Sequence, residues 1–337
     1  MMIETIAPTR VDLAGGTIDI WPLYLFHERA VTINFAVNLA TRCRIVPRHD
    51  GRIVLRSVDT GESAEFAGLE PLRTTPALKL LSRLIYYFQP DSGLEMETES
   101  AAPPGSGLGG SSALNIAICS ALNRFGGGTR DLESLIGIAR NVEAQVIAVP
   151  TGEQDYYPAT YGGLQAMHFS PGGVRREEIH ADLDRLSERL ILVYSGVQRN
   201  SGINNWDVMK RHIDGDSVVY RSFEGIIAAT NRALAALRCG NFDEIDDALA
   251  EEWANRKLLS SGIATREIDE IVSLAVSFGA RSAKVCGAGG GGCVILSVPE
   301  GRRKEIQEKL RACRVQVIDY QIARQGVSVR AADSDIR

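Results

Sequence analysis

The chain has 337 residues, 45% hydrophobic and 23% charged, which is room for two modules of roughly 100–200 residues and too apolar for disorder. Lys and Arg total 37 against 42 Asp and Glu, a net charge of −5 that gives no electrostatic footprint for general nucleic-acid binding. No apolar run approaches the about 18 residues of a membrane span, and Met1-Met2-Ile3-Glu4 lacks the basic and apolar regions of a signal peptide.

In chain order, residues 1–58 read as strands: Val31 to Val37 alternates with period two, and a second strand follows the His49-Asp50-Gly51 turn. A helix is expected from Pro76 to Phe88, with Leu78, Leu81, Leu84 and Ile85 on one side. Gly93 to Ser100 alternates as a half-buried strand. A first glycine cluster, Pro103 to Ser112, opens into a helix from Ala113 to Phe125, and another helix covers about 131–148. A loop through Asp155 leads to a short helical turn ended by Gly162-Gly163. Long helices are expected at about 217–239, 241–259 and 265–278. The second glycine cluster, Gly287 to Gly292, precedes a strand from Cys293, then a helix at about 301–311 and a strand-like run from Val315 to Val329. Helices and strands mix without regular βαβ alternation, so the class is α+β. The division expected is 1–180, 181–330 and a polar tail at 331–337. Six cysteines without a CxxC pair read as buried thiols of a reducing cytoplasm.

Five features could carry chemistry. In Pro104-Gly105-Ser106-Gly107-Leu108-Gly109-Gly110-Ser111-Ser112, small residues let backbone N–H groups converge at a helix start, an anion site sized for phosphates. The same run is also a tight connection capped by Ser111 or Ser112. No Lys follows the glycines, so it is not a Walker A loop. Glu143 falls on or beside the apolar stripe Leu132, Ile136, Ala139, Val142, Val146; it either snorkels to solvent or meets a cation such as Mg²⁺. Asp155 precedes a helical turn and is either its cap or a carboxylate that takes a hydroxyl proton. In the segment Pro8 to Trp21, a strand breaks at Gly15-Gly16-Thr17 and then presents Asp19 for sugar hydroxyls and Trp21 for a ring face; an Asp turn with a core Trp is the alternative. The second glycine cluster admits close backbone approach to a ligand, or else marks a bulge.

Three of these runs, in this order and spacing, resemble the motifs of the GHMP small-molecule kinases: Pro8 to Gly15, Pro104 to Ser112, and Lys284-Val285-Cys286-Gly287-Ala288-Gly289-Gly290-Gly291-Gly292. Within that superfamily, Gly152-Glu153-Gln154-Asp155-Tyr156-Tyr157 through Tyr161-Gly162-Gly163 is similar to the G-K-Q-D-Q-Y…F-G-G segment of bacterial D-glycero-D-manno-heptose 7-phosphate kinases and fucokinases. The resemblance implies a ribosomal-S5-like half joined to a ferredoxin-like half, and an ATP- and Mg²⁺-dependent kinase of a sugar or sugar phosphate. It implies Asp155 as base, Arg10 beside the transferred phosphate, Glu143 with Ser111 or Ser112 on the metal, and the run 104–112 around the phosphates. On the acceptor it implies Asp19, with Gly16, Thr17, Trp21, Gly289 and Gly290 lining. Two departures stand out: Ala14-Gly15-Gly16-Thr17-Ile18-Asp19 replaces the usual A-G-G-G-T-D, and Gly110 replaces a common Ser. Gln198-Arg199-Asn200-Ser201 is loosely similar to a basic segment near a substrate phosphate. A decarboxylase of the mevalonate branch and a catalytically idle sugar sensor share the scaffold, and monomer and homodimer are both compatible with the sequence.

Overall fold

The computed structural model describes residues 1–198 and 201–332, so the basic segment at 199–200 and the last five residues lie outside the described residues. The elements in order are β1 (Met2–Ala14), β2 (Val31–Arg48), β3 (Ile53–Ser57), β4 (Ser63–Phe66), α1 (Lys79–Phe88), β5 (Gly93–Ser100), α2 (Gly110–Phe125), α3 (Leu132–Ile147), α4 (Tyr156–Tyr161), β6 (Leu164–Ser170) and β7 (Gly173–Glu178). They continue with α5 (Leu183–Glu188), β8 (Leu190–Tyr194), α6 (Ser201–Ile213), α7 (Ser217–Cys239), α8 (Phe242–Arg256), α9 (Arg266–Ser277), β9 (Ser282–Val285), β10 (Cys293–Ser297), α10 (Arg303–Ala312), β11 (Gln316–Ile318) and β12 (Ser328–Ala332). Among the described residues no helix is long and apolar enough to cross a membrane.

Two sheets organise the chain. The larger runs β12-β1-β2-β5-β3-β4, with β6 and β7 continuing from the first half of β2. The long β2 allows this: Val31–Phe35 pairs with β6, and Thr41–Arg48 pairs with β5. The smaller sheet is antiparallel in the order β11-β8-β10-β9, the fourth, first, third and second strands of its half, which is the ferredoxin-like arrangement. Helices α1 to α4 cover one face of the larger sheet, burying Leu84, Leu94, Ile116 and Ile136. A second core joins Val11, Ile33 and Phe35 to Leu234 and Leu249 and to Leu192 and Ile295 of the smaller sheet. Burying these side chains supplies about 1.5–3 kcal/mol each before entropy is counted. The two halves therefore share an apolar seam.

Local chemistry sets the ends. Asp131 caps α3 by accepting from the Ser134 N–H, and Asp216 caps α7 by accepting from Val218 and Val219. Three expectations are corrected. The first helix begins at Lys79 rather than Pro76, because Leu78 takes a left-handed backbone with φ of 41°. The run Val315–Val329 is two strands, since residues between them cross to the larger sheet, where Ala323 N–H donates to Ala36 O and Ile322 bridges Val37. Ala331 and Ala332 are not tail: they pair with Ile3 and Met2 in β12. The cysteines also divide. Cys43 and Cys119 are buried, but Cys239 and Cys313 at helix ends are exposed.

Candidate active site

The glycine loop enters α2 through three left-handed glycines, Gly105, Gly107 and Gly109, with φ of 67°, 80° and 68°. Gly109 is the cap residue, and neither serine caps the helix. Their hydroxyls turn the other way. Ser111 donates to Glu143, and Ser112 donates to Glu143 Oε2 at 3.1 Å. Tyr156 donates to the same oxygen at 2.6 Å. The first-turn N–H groups of α2 are thereby left facing the loop with the positive end of the helix dipole. Glu143 is buried, which rules out the solvated reading. Burial pushes its carboxyl upward; the three hydroxyl bonds offset only part of that, and nearby Asp155 adds to the rise. A pocket of about 360 Å³ opens here, within the size range of small-molecule sites, lined by the loop, Glu143, Thr151 and Asp155. Leu108 differs from its loop neighbours in not lining the pocket: its side chain is in the core, and its carbonyl accepts the Arg10 backbone N–H at 2.9 Å.

Asp155 precedes α4 but makes no capping bond. Its Oδ1 accepts instead from Arg10 Nε at 2.8 Å and from the terminal nitrogen at 2.6 Å. Arg10, almost fully buried on β1, also donates to the carbonyl of Gly107, tying strand, loop and helix together. Burial alone would lower the guanidinium's pKa; Asp155 and Asp12 outweigh that and hold it above its ordinary value. Arg10 engages only Oδ1. The other oxygen lies over the glycine loop, where a Cβ on Gly109 would stand 3.2 Å from it.

On the far side of Asp155 is a second, smaller pocket, lined by Arg10, Thr17, Asp19, Gln154, Asn205, Gly287 and Ala288 among others. Thr151 and Asp155 border both pockets. Asp19 is buried; its Oδ2 accepts the Gln154 N–H at 3.0 Å, while Oδ1 has no hydrogen-bond partner among the described residues. Burial raises this carboxyl from 3.8 to about 7, with Asp155 and Asp12 contributing and the Gln154 bond opposing. Asn34 fixes Gln154 by donating to its Oε1 at 2.9 Å.

Several expected lining residues lie elsewhere. Trp21 is 65% exposed, neither core nor part of the pocket wall. Gly289 and Gly290 pack on Ile263: a Cβ on Gly289 would come within 2.7 Å of its side chain, and Gly290 N–H donates to its carbonyl at 3.0 Å. The third glycine motif reaches the pocket through Gly287 and Ala288 instead. Gly16 turns its carbonyl to Arg256 rather than to the pocket.

Sequence reasoning missed a fully buried charge cluster behind this pocket. Lys284 Nζ stands 3.1 Å from Asp12 Oδ1 and 3.8 Å from Glu252 Oε1, and donates to the Asp12 carbonyl at 2.9 Å. Arg256 pairs with Glu252 along α8 and donates to Gly16 O at 2.9 Å and Thr17 Oγ1 at 3.1 Å. Burial pushes the Asp12 carboxyl up, but Lys284, Arg256 and Arg10 bring it below its usual range. A signal existed. Leu249, Trp253 and Arg256 recur at helical spacing with Glu252 beside them, the same argument that singled out Glu143.

The fold and sequence have counterparts among known proteins. Residues 74–163 match the family described as GHMP kinases N terminal domain, and residues 233–315 match GHMP kinases C terminal. The chain is 26% identical over 336 residues to D-glycero-alpha-D-manno-heptose 7-phosphate kinase of Campylobacter jejuni, covering 96% of this chain and 98% of that one. It is 31% identical over 223 residues to a mevalonate kinase of Methanothermobacter thermautotrophicus, covering 66% and 70%. Among solved structures, a D-glycero-D-manno-heptose 1-phosphate kinase from Bacteroides thetaiotaomicron superposes with a TM-score of 0.81 at 22% identity, covering 98% of this chain and all of that one.

Proposed function

The chain belongs to the GHMP kinase family of phosphotransferases, and from that premise we propose that it uses ATP and Mg²⁺ to phosphorylate a sugar or sugar phosphate at its anomeric hydroxyl, in the cytoplasm. The observation that carries this reading is that Asp155 borders two pockets, one lined by the glycine loop and Glu143 and the other largely by polar side chains.

The donor set suits the proposed ion. Glu143, Ser111 and Ser112 are hard oxygen donors, and no cluster of three or more His, Cys, Asp or Glu that could hold a metal occurs among the described residues. Mg²⁺ is commonly held by one or two carboxylates completed by waters and substrate phosphates, and when bound it neutralises polyphosphate charge. The chain's own groups do the rest. The N–H groups of the glycine loop and the α2 start cradle phosphate oxygens. Arg10 orients Asp155 through Oδ1, leaving Oδ2 to accept the proton of an acceptor hydroxyl that reaches from the smaller pocket to where the two pockets meet. Asp19, with an unpaired buried oxygen, fixes the acceptor's hydroxyls. We divide the chain near residue 180, with β12 returning to the first half. A coupled ADP-release assay over free sugars and sugar phosphates tests the reading; turnover with no member of such a panel contradicts it.

A further inference from the structure

Thr17 is an anomaly. It borders the acceptor pocket with a φ of 73°, a left-handed backbone that β-branched residues strongly disfavour. Something must hold it there. Arg256, fully buried on α8, spans the turn: one terminal nitrogen donates to Thr17 Oγ1 at 3.1 Å and the other to Gly16 O at 2.9 Å. Glu252 clamps Arg256 from one side and accepts the Gly15 N–H at 3.1 Å on the other. Three consecutive residues of the turn are thus fixed by one ion pair belonging to a helix about 240 residues away in sequence. A planar fork makes both bonds at once; an ammonium does not. The turn then delivers Asp19 two residues further on, and a short bond from Ile20 N–H to Thr17 O closes it at 3.3 Å. Lys284 and Asp12 complete the charge balance, so the pair is not left uncompensated.

We infer that Arg256 and Glu252 are positioning residues for the acceptor: they hold Thr17 in its left-handed conformation, and through that turn set how Thr17 and Asp19 face the sugar. The inference rests on the sugar-kinase reading for its substrate, but the hold itself is a property of the fold. Neither residue touches the glycine loop, so the nucleotide side is untouched by their loss.

The test compares Arg256→Lys, Thr17→Gly and the two together, with acceptor and ATP KM measured separately and thermal unfolding alongside. Arg256→Lys raises acceptor KM roughly tenfold or more and leaves ATP KM within about twofold. Adding Thr17→Gly recovers part of that loss, because glycine adopts the left-handed backbone without help. A parallel rise in both KM values, or an Arg256→Lys effect of the same size whether residue 17 is Thr or Gly, overturns the inference. Should Arg256→Lys fail to fold, Thr17→Ala decides in its place, because it loses the hydroxyl that Arg256 holds but keeps a Cβ that disfavours the left-handed backbone. A raised acceptor KM with ATP KM within about twofold supports the inference, and an unchanged acceptor KM overturns it. Should the wild type phosphorylate no sugar or sugar phosphate, the sugar-kinase reading falls, and hydrogen exchange still reads the hold. Arg256→Lys must then speed exchange of the amides at 15–20 while the loop at 105–112 stays as in wild type; equal exchange at 15–20 overturns the inference.

Discussion

The glycine-loop pocket and the acceptor pocket share Asp155 but are built on different principles. The first is assembled from backbone: left-handed glycines, a helix start, and one buried carboxylate satisfied by three neighbouring hydroxyls. The second is assembled from buried charge, with Asp12, Glu252, Arg256 and Lys284 brought together from strands and a helix distant in sequence. Backbone donors serve any polyphosphate. In the proposed reaction, side chains fixed by ion pairs would set which acceptor fits, and the difference divides its general part from its selective part.

Substitutions can break that comparison at either pocket. The largest expected loss is from Lys284→Met, which leaves Asp12 buried without its cation; removing one partner of such a pair costs about 3–5 kcal/mol. Chemical denaturation should show that loss, and a midpoint equal to wild type would mean Lys284 is not part of the balance. Glu143→Gln keeps shape but removes charge from the glycine-loop pocket. The Mg²⁺ concentration for half-maximal rate should rise about 10–100-fold; an unchanged requirement would assign Glu143 a purely structural part. Gly109→Ala forces an L-residue to a φ of 68° and sets a Cβ 3.2 Å from Asp155 Oδ2. The backbone cost is roughly 1–2 kcal/mol, and turnover should fall with it as Asp155 is displaced. Unchanged turnover would show that Asp155 has room to move.

A further effect is a pH dependence. Asp19 titrates at about 7 in the folded chain against an ordinary 3.8, so between those values the folded chain keeps a proton that the unfolded chain has released. That contribution to stability is complete at the acid end and is lost as pH rises through about 7. Asn does not titrate, so the melting temperature of Asp19→Asn relative to wild type should climb across that window and level off above it. A constant difference would place the Asp19 pKa near its ordinary value.

Legibility from sequence followed the same divide. The glycine loop, Glu143 and Asp155 were legible because their neighbours along the chain carry the information: a run of small residues before a helix, a carboxylate on an apolar stripe, an acid before a helical turn. Asp155's true partner was not, since nothing local to either residue links it to Arg10 across 145 positions. Glu252 and Arg256 match an i,i+4 surface pair as well as they match the apolar stripe of α8, and only the fold, which buries both, separates the two readings. Within the third glycine motif, which residues pack on Ile263 and which line the pocket depends on the loop leading into α9, and the motif carries no sign of it. The long helices and the strands flanking the glycine clusters were readable, but no element was expected between Gly163 and Asp216, where β6, β7, α5, β8 and α6 lie. The crossing from Asp319 to Val327 was not readable either, because its bonds are to β2 and the turn after α4 rather than within its own sheet.

The central claim is that Asp155, held by Arg10, takes the acceptor's proton where the two pockets meet. Asp155→Asn, assayed in single turnover with saturating ATP and the best acceptor from the sugar panel, tests it most directly. The substitution should lower that rate by about a hundred- to ten-thousandfold, with ATP affinity within about twofold of wild type. A near wild-type rate would contradict it.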